Sequence, residues 1–174
     1  MTDTINIGVK DIEWTEPGGK QLNDTLSLGQ GFTAGYTGSL QSVSIYAREG
    51  SINSSATGIT LEIYALDGDG LPTGSALATE TIAHGDIAAN TESVTASATE
   101  LMVTFSSPPA VTANEGYAIL MSNQGSAHYD IYYQAGNAYA GGNALEKASG
   151  GAWAKPPAIT DYDFSFKVVT TYTQ

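Results

Sequence analysis

Apolar residues recur at every second position in several short runs of this chain, and the two clearest runs are 59–65 and 162–168. In an extended strand, side chains two positions apart lie on the same face, so each run has one apolar face and one polar face. Such faces are buried by packing one sheet against another. The sequence therefore predicts half-buried β-strands that pack in two layers.

About eight to ten short strands of this kind follow one another, separated by glycine, proline, aspartate and asparagine turns. No stretch has convincing helical periodicity, and no linker divides the 174 residues. A barrel and a sandwich both give this pattern, and the long loops favour the sandwich. We predict an all-β fold, an antiparallel and lectin-like β-sandwich with Greek-key or jelly-roll connections, over residues 29–174. The alternation places ten side chains in the predicted core, namely Phe32, Val43, Ile45, Leu61, Ile63, Val103, Phe105, Ile119, Phe164 and Phe166.

Residues 1–28 are polar and irregular, and we predict that they form an N-terminal arm for attachment or assembly. Ile5, Ile7 and Val9 alternate like a short strand, and Trp14 offers an apolar anchor. An unpaired strand of this kind can add to the sheet edge of a neighbouring molecule. The alternative is that the segment is an edge strand and a loop of the sandwich itself.

The charge of the chain limits its partners. It has 6 basic and 18 acidic residues, which give a net charge of −12. Nucleic acid and anionic lipid both require basic surfaces, so neither is an expected partner. The chain has no cysteine, which excludes disulfides and thiolate metal sites. We also expect no membrane insertion and no signal peptide, because no suitable apolar segment is present.

Residues for catalysis are sparse, and we predict that the protein is not an enzyme. His84 and His128 are the only histidines, and neither lies in a hydrolase motif. Asp161 and Asp163 fall on one strand face and could imitate the carboxylate pair of a glycosidase. We interpret them as solvated residues at a strand edge.

The Asp67-Gly68-Asp69-Gly70 segment resembles the start of a calcium-binding loop. The pattern stops there, because Leu71 and Ala78 occupy the fifth and twelfth positions, where oxygen ligands are needed. Asp-Gly is also a strong signal for a hairpin turn. We therefore predict a structural turn and no required metal or cofactor, with calcium at Asp67 and Asp69 as the alternative.

A loop region rich in glycine, asparagine and tyrosine, Tyr129–Trp153, is the predicted working surface. Aromatic rings can stack on the apolar faces of sugars, while asparagine and aspartate bind their hydroxyls. The scarcity of lysine favours a neutral glycan. The alternative is that these rings pack the end of the sandwich or a subunit interface. The predicted glycan-binding residues are Tyr129, Asn137, Tyr139, Asn143, Trp153 and Asp161.

The order of several motifs resembles a known family. G-Q-G-F-T-A-G at 29–35 is followed by L-E-I-Y-A-L-D-G-D-G-L-P-T-G at 61–74, V-T-F-S-S-P-P-A-V-T-A at 103–113 and G-Y-A-I-L at 116–120. N-A-Y-A-G-G-N-A-L, G-G-A-W and D-F-S-F follow towards the end. This set resembles the jelly-roll modules called choice-of-anchor domains, which are similar to carbohydrate-binding modules. The resemblance implies a β-sandwich on cell-surface, secreted or bacteriophage proteins, with adhesive or glycan-binding roles.

These observations lead to an expected function. We expect a non-enzymatic structural and adhesive module, displayed on a bacteriophage virion as a decoration, fibre or tail protein. Such a component would form a homo-oligomer, for example a trimer, or bind virion proteins, and it would be found on the virion or outside the cell after release. The alternative is a soluble carbohydrate-binding module of a glycan-degrading system.

Overall fold

The structure is a computed structural model that describes residues 2–8, 19–50, 57–87, 99–123, 125, 128–136, 138–157 and 162–173, with only the backbone for residues 2–8 and 173. Within these ranges the chain forms fourteen antiparallel strands and a 3₁₀ turn at His84–Asp86. None of its helical segments there has the length and hydropathy that crossing a membrane requires.

The strands form two large sheets and one small ribbon. The seven-stranded sheet contains β1 (Thr2–Gly8), β2 (Lys20–Leu22), β4 (Gly38–Glu49), β7 (Thr99–Thr104), β8 (Ala110–Val111), β10 (Tyr129–Ile131) and β14 (Phe166–Thr173). The five-stranded sheet contains β3 (Leu26–Thr33), β5 (Ile59–Leu66), β6 (Pro72–Ile82), β9 (Gly116–Ser122) and β12 (Ala144–Ala148). The ribbon joins β11 (Tyr133–Ala135) to β13 (Tyr162–Phe164).

Strand β4 is central to the seven-stranded sheet. It pairs with β14 and β10 along one side and with β7 and β8 along the other, and β1 and β2 lie outside β14 and β10. The five-stranded sheet has the order β12-β3-β9-β5-β6. The predicted all-β antiparallel sandwich is confirmed.

The core lies between the two sheets, and the period-two prediction identified it correctly. All ten predicted core residues are buried in one cluster. In β5, Ile59, Leu61 and Ile63 are fully buried, whereas Thr60 and Glu62 between them are partly exposed. The alternation works because one side of the sheet faces the other sheet and one side faces solvent.

Residues 19–28 belong to the sandwich, so the predicted boundary after residue 28 is wrong. It falls inside β3, and β2 pairs with β10. Leu22 and Leu28 are fully buried, and Asn23 Oδ1 holds the turn between them by accepting hydrogen bonds from the Thr25 and Leu26 amides. The polar residues of this turn make the short apolar segments on either side of it difficult to recognise from the sequence. Strand β1 pairs along its whole length with β14 of the same chain, while Val9 and Trp14 lie outside the described residues.

The segment predicted as one long irregular loop contains an edge strand. Strand β12 pairs with β3, and Ala154 forms an antiparallel bridge to Glu146 on its other side. Ala144 and Leu145 are buried, which explains why the backbone is extended there. The glycines at 141–142 and 150–151 bracket this strand and do not mark a continuous loop.

Candidate ligand-binding site

The candidate site is formed by loops that connect strands at one end of the sandwich. We call it the upper end, and it comprises the segments 34–37, 67–71, 112–115 and 138–143. The opposite lower end includes the segment 83–87 and the residues Asn123, Gly125 and His128. Loops at the ends of a rigid sandwich are common places for binding residues, because the strands fix where each loop begins.

A polar cleft of about 340 Å³ opens at the upper end on the outer side of the five-stranded sheet. The Asp67–Gly70 turn forms one wall and the 140–143 segment forms the other. Thr33, Leu66 and Gly116 lie at its base, and Lys155 lies beside the turn. The cleft therefore joins five separate parts of the chain.

The Asp67 carboxylate builds the first wall. Its Oδ1 accepts hydrogen bonds from the amides of Asp69 and Leu71, both at 2.9 Å. Gly70 has a φ of +74°, which glycine adopts without strain. This geometry supports the structural interpretation of the turn. The Asp69 side chain is exposed and makes no hydrogen bond or ion pair with the described part of the chain.

The second wall is held against the end of β3. The Gly31 amide donates to the Asn143 carbonyl at 2.8 Å, and the Thr33 hydroxyl donates to the Gly141 carbonyl at 2.7 Å. Gly142 passes so close to β3 that a Cβ there would lie 1.9 Å from the Gly31 carbonyl oxygen. Only glycine fits this approach. The Asn143 side chain remains exposed above the wall.

The bridge at Ala154 sets the direction of the residues on either side of it. Its two hydrogen bonds with Glu146 measure 2.8 and 2.9 Å and keep residues 153–155 extended along β12. Trp153 and Lys155, two positions apart, therefore lie on the same outer face. Lys155 Nζ reaches to 3.2 Å from the point where a Gly70 Cβ would be, at the rim of the cleft. It forms no ion pair with the residues the structure describes.

Trp153 lies on the outer surface of the five-stranded sheet and is half-buried. It packs against the small cluster of Ala118, Leu120 and Leu145, as Leu66 of the cleft does. The Lys147 ammonium lies 5.8 Å from the centre of its ring. The structure thus brings two of the predicted glycan-binding residues, Asn143 and Trp153, to the same region. It also places Asp69 and Lys155 there.

Tyr139 does not form the exposed stacking surface that the sequence predicts. Its ring packs edge-on against Phe166, with 5.1 Å between ring centres, and its hydroxyl accepts a hydrogen bond from the Thr33 amide. Burial raises the pKa of this tyrosine. The surrounding glycines make the backbone irregular, but the ring still finds an apolar neighbour and a donor in the sandwich.

Tyr129 is likewise wrong as a glycan contact. It is fully buried at the lower end, and its hydroxyl accepts a hydrogen bond from the Gly58 amide and lies 3.1 Å from His84 Nδ1. Burial raises its pKa. Asn137 and Asp161 lie outside the described residues. Asp163, interpreted above as a solvated strand-edge residue, is only 2% exposed.

The lower end brings together a carboxylate, a histidine and a tyrosine. His84 Nε2 lies 3.6 Å from Glu49 Oε1, which is buried and has no hydrogen-bond partner among the residues that the structure describes. The Tyr129 hydroxyl lies on the other side of the His84 ring, but the Tyr129 side chain is completely buried from solvent. This arrangement fastens the 3₁₀ turn to β4 and β10.

A second opening of about 400 Å³ lies between the edge strands β6 and β7. Glu80, Asp86 and Glu100 line it, so its charged groups are all acceptors. Glu80 already accepts hydrogen bonds from the Ser106 amide and hydroxyl, which lower its pKa. The cleft at the upper end is therefore the better candidate, because it offers both donors and acceptors.

The chain matches no protein-family model and no curated protein. Among the residues that the structure describes, no three His, Asp or Glu side chains are grouped in a way that could hold a metal ion.

Proposed function

We propose that this protein is a non-enzymatic adhesive module that binds surface glycans in the cleft at the upper end of the sandwich. One observation carries the proposal. The exposed side chains of Asp69, Asn143 and Lys155, none of which is bonded to another described residue, converge on a single cleft near Trp153.

The chemistry of these side chains fits a polyhydroxylated ligand. A sugar hydroxyl both donates and accepts hydrogen bonds, a carboxylate accepts, an ammonium donates, and an amide does both. The walls are fixed by backbone hydrogen bonds to β3 and within the Asp67 turn, so little ordering accompanies binding. Because one lysine faces two carboxylates, Asp67 and Asp69, a neutral glycan suits the cleft better than an anionic one.

The absence of catalysis is part of the proposal. A glycosidase needs one carboxyl group as acid and a second as base or nucleophile. Asp67 is occupied in holding its turn through two amide hydrogen bonds, which leaves Asp69 as the single uncommitted carboxylate of the cleft. At the lower end, the Glu49 carboxylate beside His84 is only 4% exposed.

An open, polar cleft of this kind binds weakly, with a dissociation constant near a millimolar or about 4 kcal/mol. Several copies on one particle would raise the apparent affinity through avidity. We therefore propose display as a homo-oligomer on a bacteriophage virion, which the resemblance to choice-of-anchor modules also favours. Light scattering after size exclusion and co-sedimentation with virions test this context. A monomer that does not attach to particles would favour the alternative, a soluble carbohydrate-binding module.

A glycan array and a host-cell binding assay test the site itself. Asp69→Ala, Asn143→Ala and Lys155→Ala should each lower binding about tenfold, which corresponds to about 1.4 kcal/mol. Asp24→Ala is the matched control, because Asp24 is an exposed aspartate at the other end of the sandwich. Unchanged binding in folded cleft variants would place the site elsewhere, and a wild-type protein that binds no glycan or cell would refute the proposal.

A further inference from the structure

Tyr36 lies at the upper end and is the most exposed aromatic side chain that the structure describes, at 44%. Its ring stacks on Tyr172 of β14, with 4.6 Å between ring centres and an angle of 25° between the planes. The stack fixes the orientation of the Tyr36 ring while leaving much of it in solvent. The sequence does not single out this residue, because nothing local distinguishes it from the other nine tyrosines.

The segment that carries Tyr36 is held rigidly. The Ala34 amide donates to the Glu115 carbonyl at 3.0 Å, and the Asn114 amide donates to the Ala34 carbonyl at 2.8 Å. The Ala113 amide donates to the Thr37 hydroxyl at 3.0 Å. Three hydrogen bonds therefore tie the segments 34–37 and 112–115 together. A ring presented in this way loses little freedom when a ligand stacks on it.

Tyr36 is close to the cleft. Thr33 lies at the base of the cleft and is three residues from Tyr36, so their Cα atoms are at most about 11 Å apart. The segment 112–115 also leads to the cleft, because Gly116 lines the cleft and directly follows Glu115. Asn114 and Glu115 have exposed side chains beside this path.

We infer that the cleft and Tyr36 are two subsites of one extended site, and that the ligand is an oligosaccharide segment of several sugars. The inference rests on the proposed function. One sugar places its hydroxyls among Asp69, Asn143 and Lys155, and another in the same chain lays its apolar C–H face on the Tyr36 ring. Asn114 and Glu115 offer hydrogen-bonding groups to the sugars between them.

An oligosaccharide length series separates this arrangement from binding in the cleft alone. The probes are gluco-oligosaccharides with β-1,4 and α-1,4 linkages and oligomers of N-acetylglucosamine, each from one to six sugars, titrated by NMR. Wild-type affinity should rise at least tenfold from the single sugar to the hexamer in the series that binds. Asp69→Ala should lower affinity at every length.

Tyr36 variants should affect only the longer ligands. Tyr36→Ala should abolish the gain with length and leave single-sugar binding unchanged, while Tyr36→Phe should keep the gain. Tyr36→Leu, which still covers Tyr172 but lacks a planar ring, should behave like Tyr36→Ala and provides the test if the alanine variant does not fold. A gain with length that survives in the Leu and Ala variants, or no gain in the wild type, overturns the inference and leaves the cleft intact. Failure of the wild type to bind any of these probes, any glycan of the array or host cells overturns both the inference and the proposed function.

Discussion

Gln30 and Asp163 are hydrogen-bonded inside the sandwich, with 2.9 Å between Gln30 Nε2 and Asp163 Oδ1, although they are 133 positions apart in the sequence. Gln30 is 1% exposed and Asp163 is 2% exposed. Gln30 Oε1 also accepts a hydrogen bond from the Phe164 amide, and Asp163 Oδ2 accepts one from the Tyr139 amide. This pair joins β3, β13 and the 138–143 segment, and therefore supports one wall of the cleft.

Gln30→Met should cost at least about 2 kcal/mol of unfolding free energy, because it leaves a buried carboxylate short of a donor. Gln41→Met is the matched control. Gln41 is partly buried and donates to the Thr171 hydroxyl, so its loss should cost only about 0.5–1.5 kcal/mol. Urea unfolding measures both. Equal losses of unfolding free energy in the two variants would mean that the buried Gln30–Asp163 pair stabilises the fold no more than the partly buried hydrogen bond of Gln41 does.

Leu61→Ala and Phe164→Ala should each cost about 2–5 kcal/mol, because both side chains are completely or almost completely buried between the sheets. Met102→Ala serves as the control, since Met102 is 63% exposed on β7 and its truncation should cost less than about 0.5 kcal/mol. Denaturant unfolding compares the three variants. A loss below about half a kcal/mol at Leu61 or Phe164 would contradict the assigned core.

The Asp67 turn should not depend on calcium, and its two aspartates should behave differently. Asp67→Ala removes the acceptor of two amides and should cost about 1 kcal/mol, whereas Asp69→Ala should leave stability almost unchanged. Melting curves in calcium and in chelator provide the measurement. A large rise in melting temperature with calcium that both substitutions abolish would identify a metal site, since a ligand at a hundred times its dissociation constant adds about 2.7 kcal/mol.

Stability should fall steeply at alkaline pH. Burial raises the pKa of Tyr129, Tyr132, Tyr139 and Tyr162, and for Tyr162 the hydrogen bond to Glu146 raises it further. The unfolded chain then releases these protons at lower pH than the folded chain does. Their contribution to stability is therefore complete below about pH 10, the unfolded tyrosine value, and is lost as pH rises above it.

Tyrosinate absorbance and circular dichroism, followed together against pH, test this. Four of the ten tyrosines should ionise only as the strand signal is lost. Ionisation of all ten in a protein that still has its native circular dichroism would contradict the burial assigned to these rings.

The N-terminal strand remains a predicted assembly element. Removal of residues 1–18 should leave a folded sandwich, because β2 and the buried side chains of Leu22 and Leu28 are retained. It should also lower the oligomeric state or particle attachment, because β1 and Trp14 are lost. Light scattering and circular dichroism report the two properties separately. An unfolded product would show that the pairing of β1 with β14 is needed for folding, and an unchanged oligomer would refute the assembly role.

The sequence by itself determined the fold class and the core. Period-two alternation is a local property, and each strand needs only its own residues to define which side chains face inward. Phe32, Leu61 and Phe164 could therefore be identified without knowing their partners. The turn at Asp67–Gly70 was also predicted from its own residues, because its hydrogen bonds are local.

Only the tertiary structure decided where the site is. The composition of the 136–143 segment predicts an irregular backbone, but it does not reveal that Tyr139 finds Phe166 and the Thr33 amide across the sandwich. Strand pairing likewise places Asn143 and Lys155 opposite the Asp67 turn, although more than seventy residues separate them from it in the chain. Such contacts depend on which strands pair and in which register, and this choice reflects the packing of the whole chain.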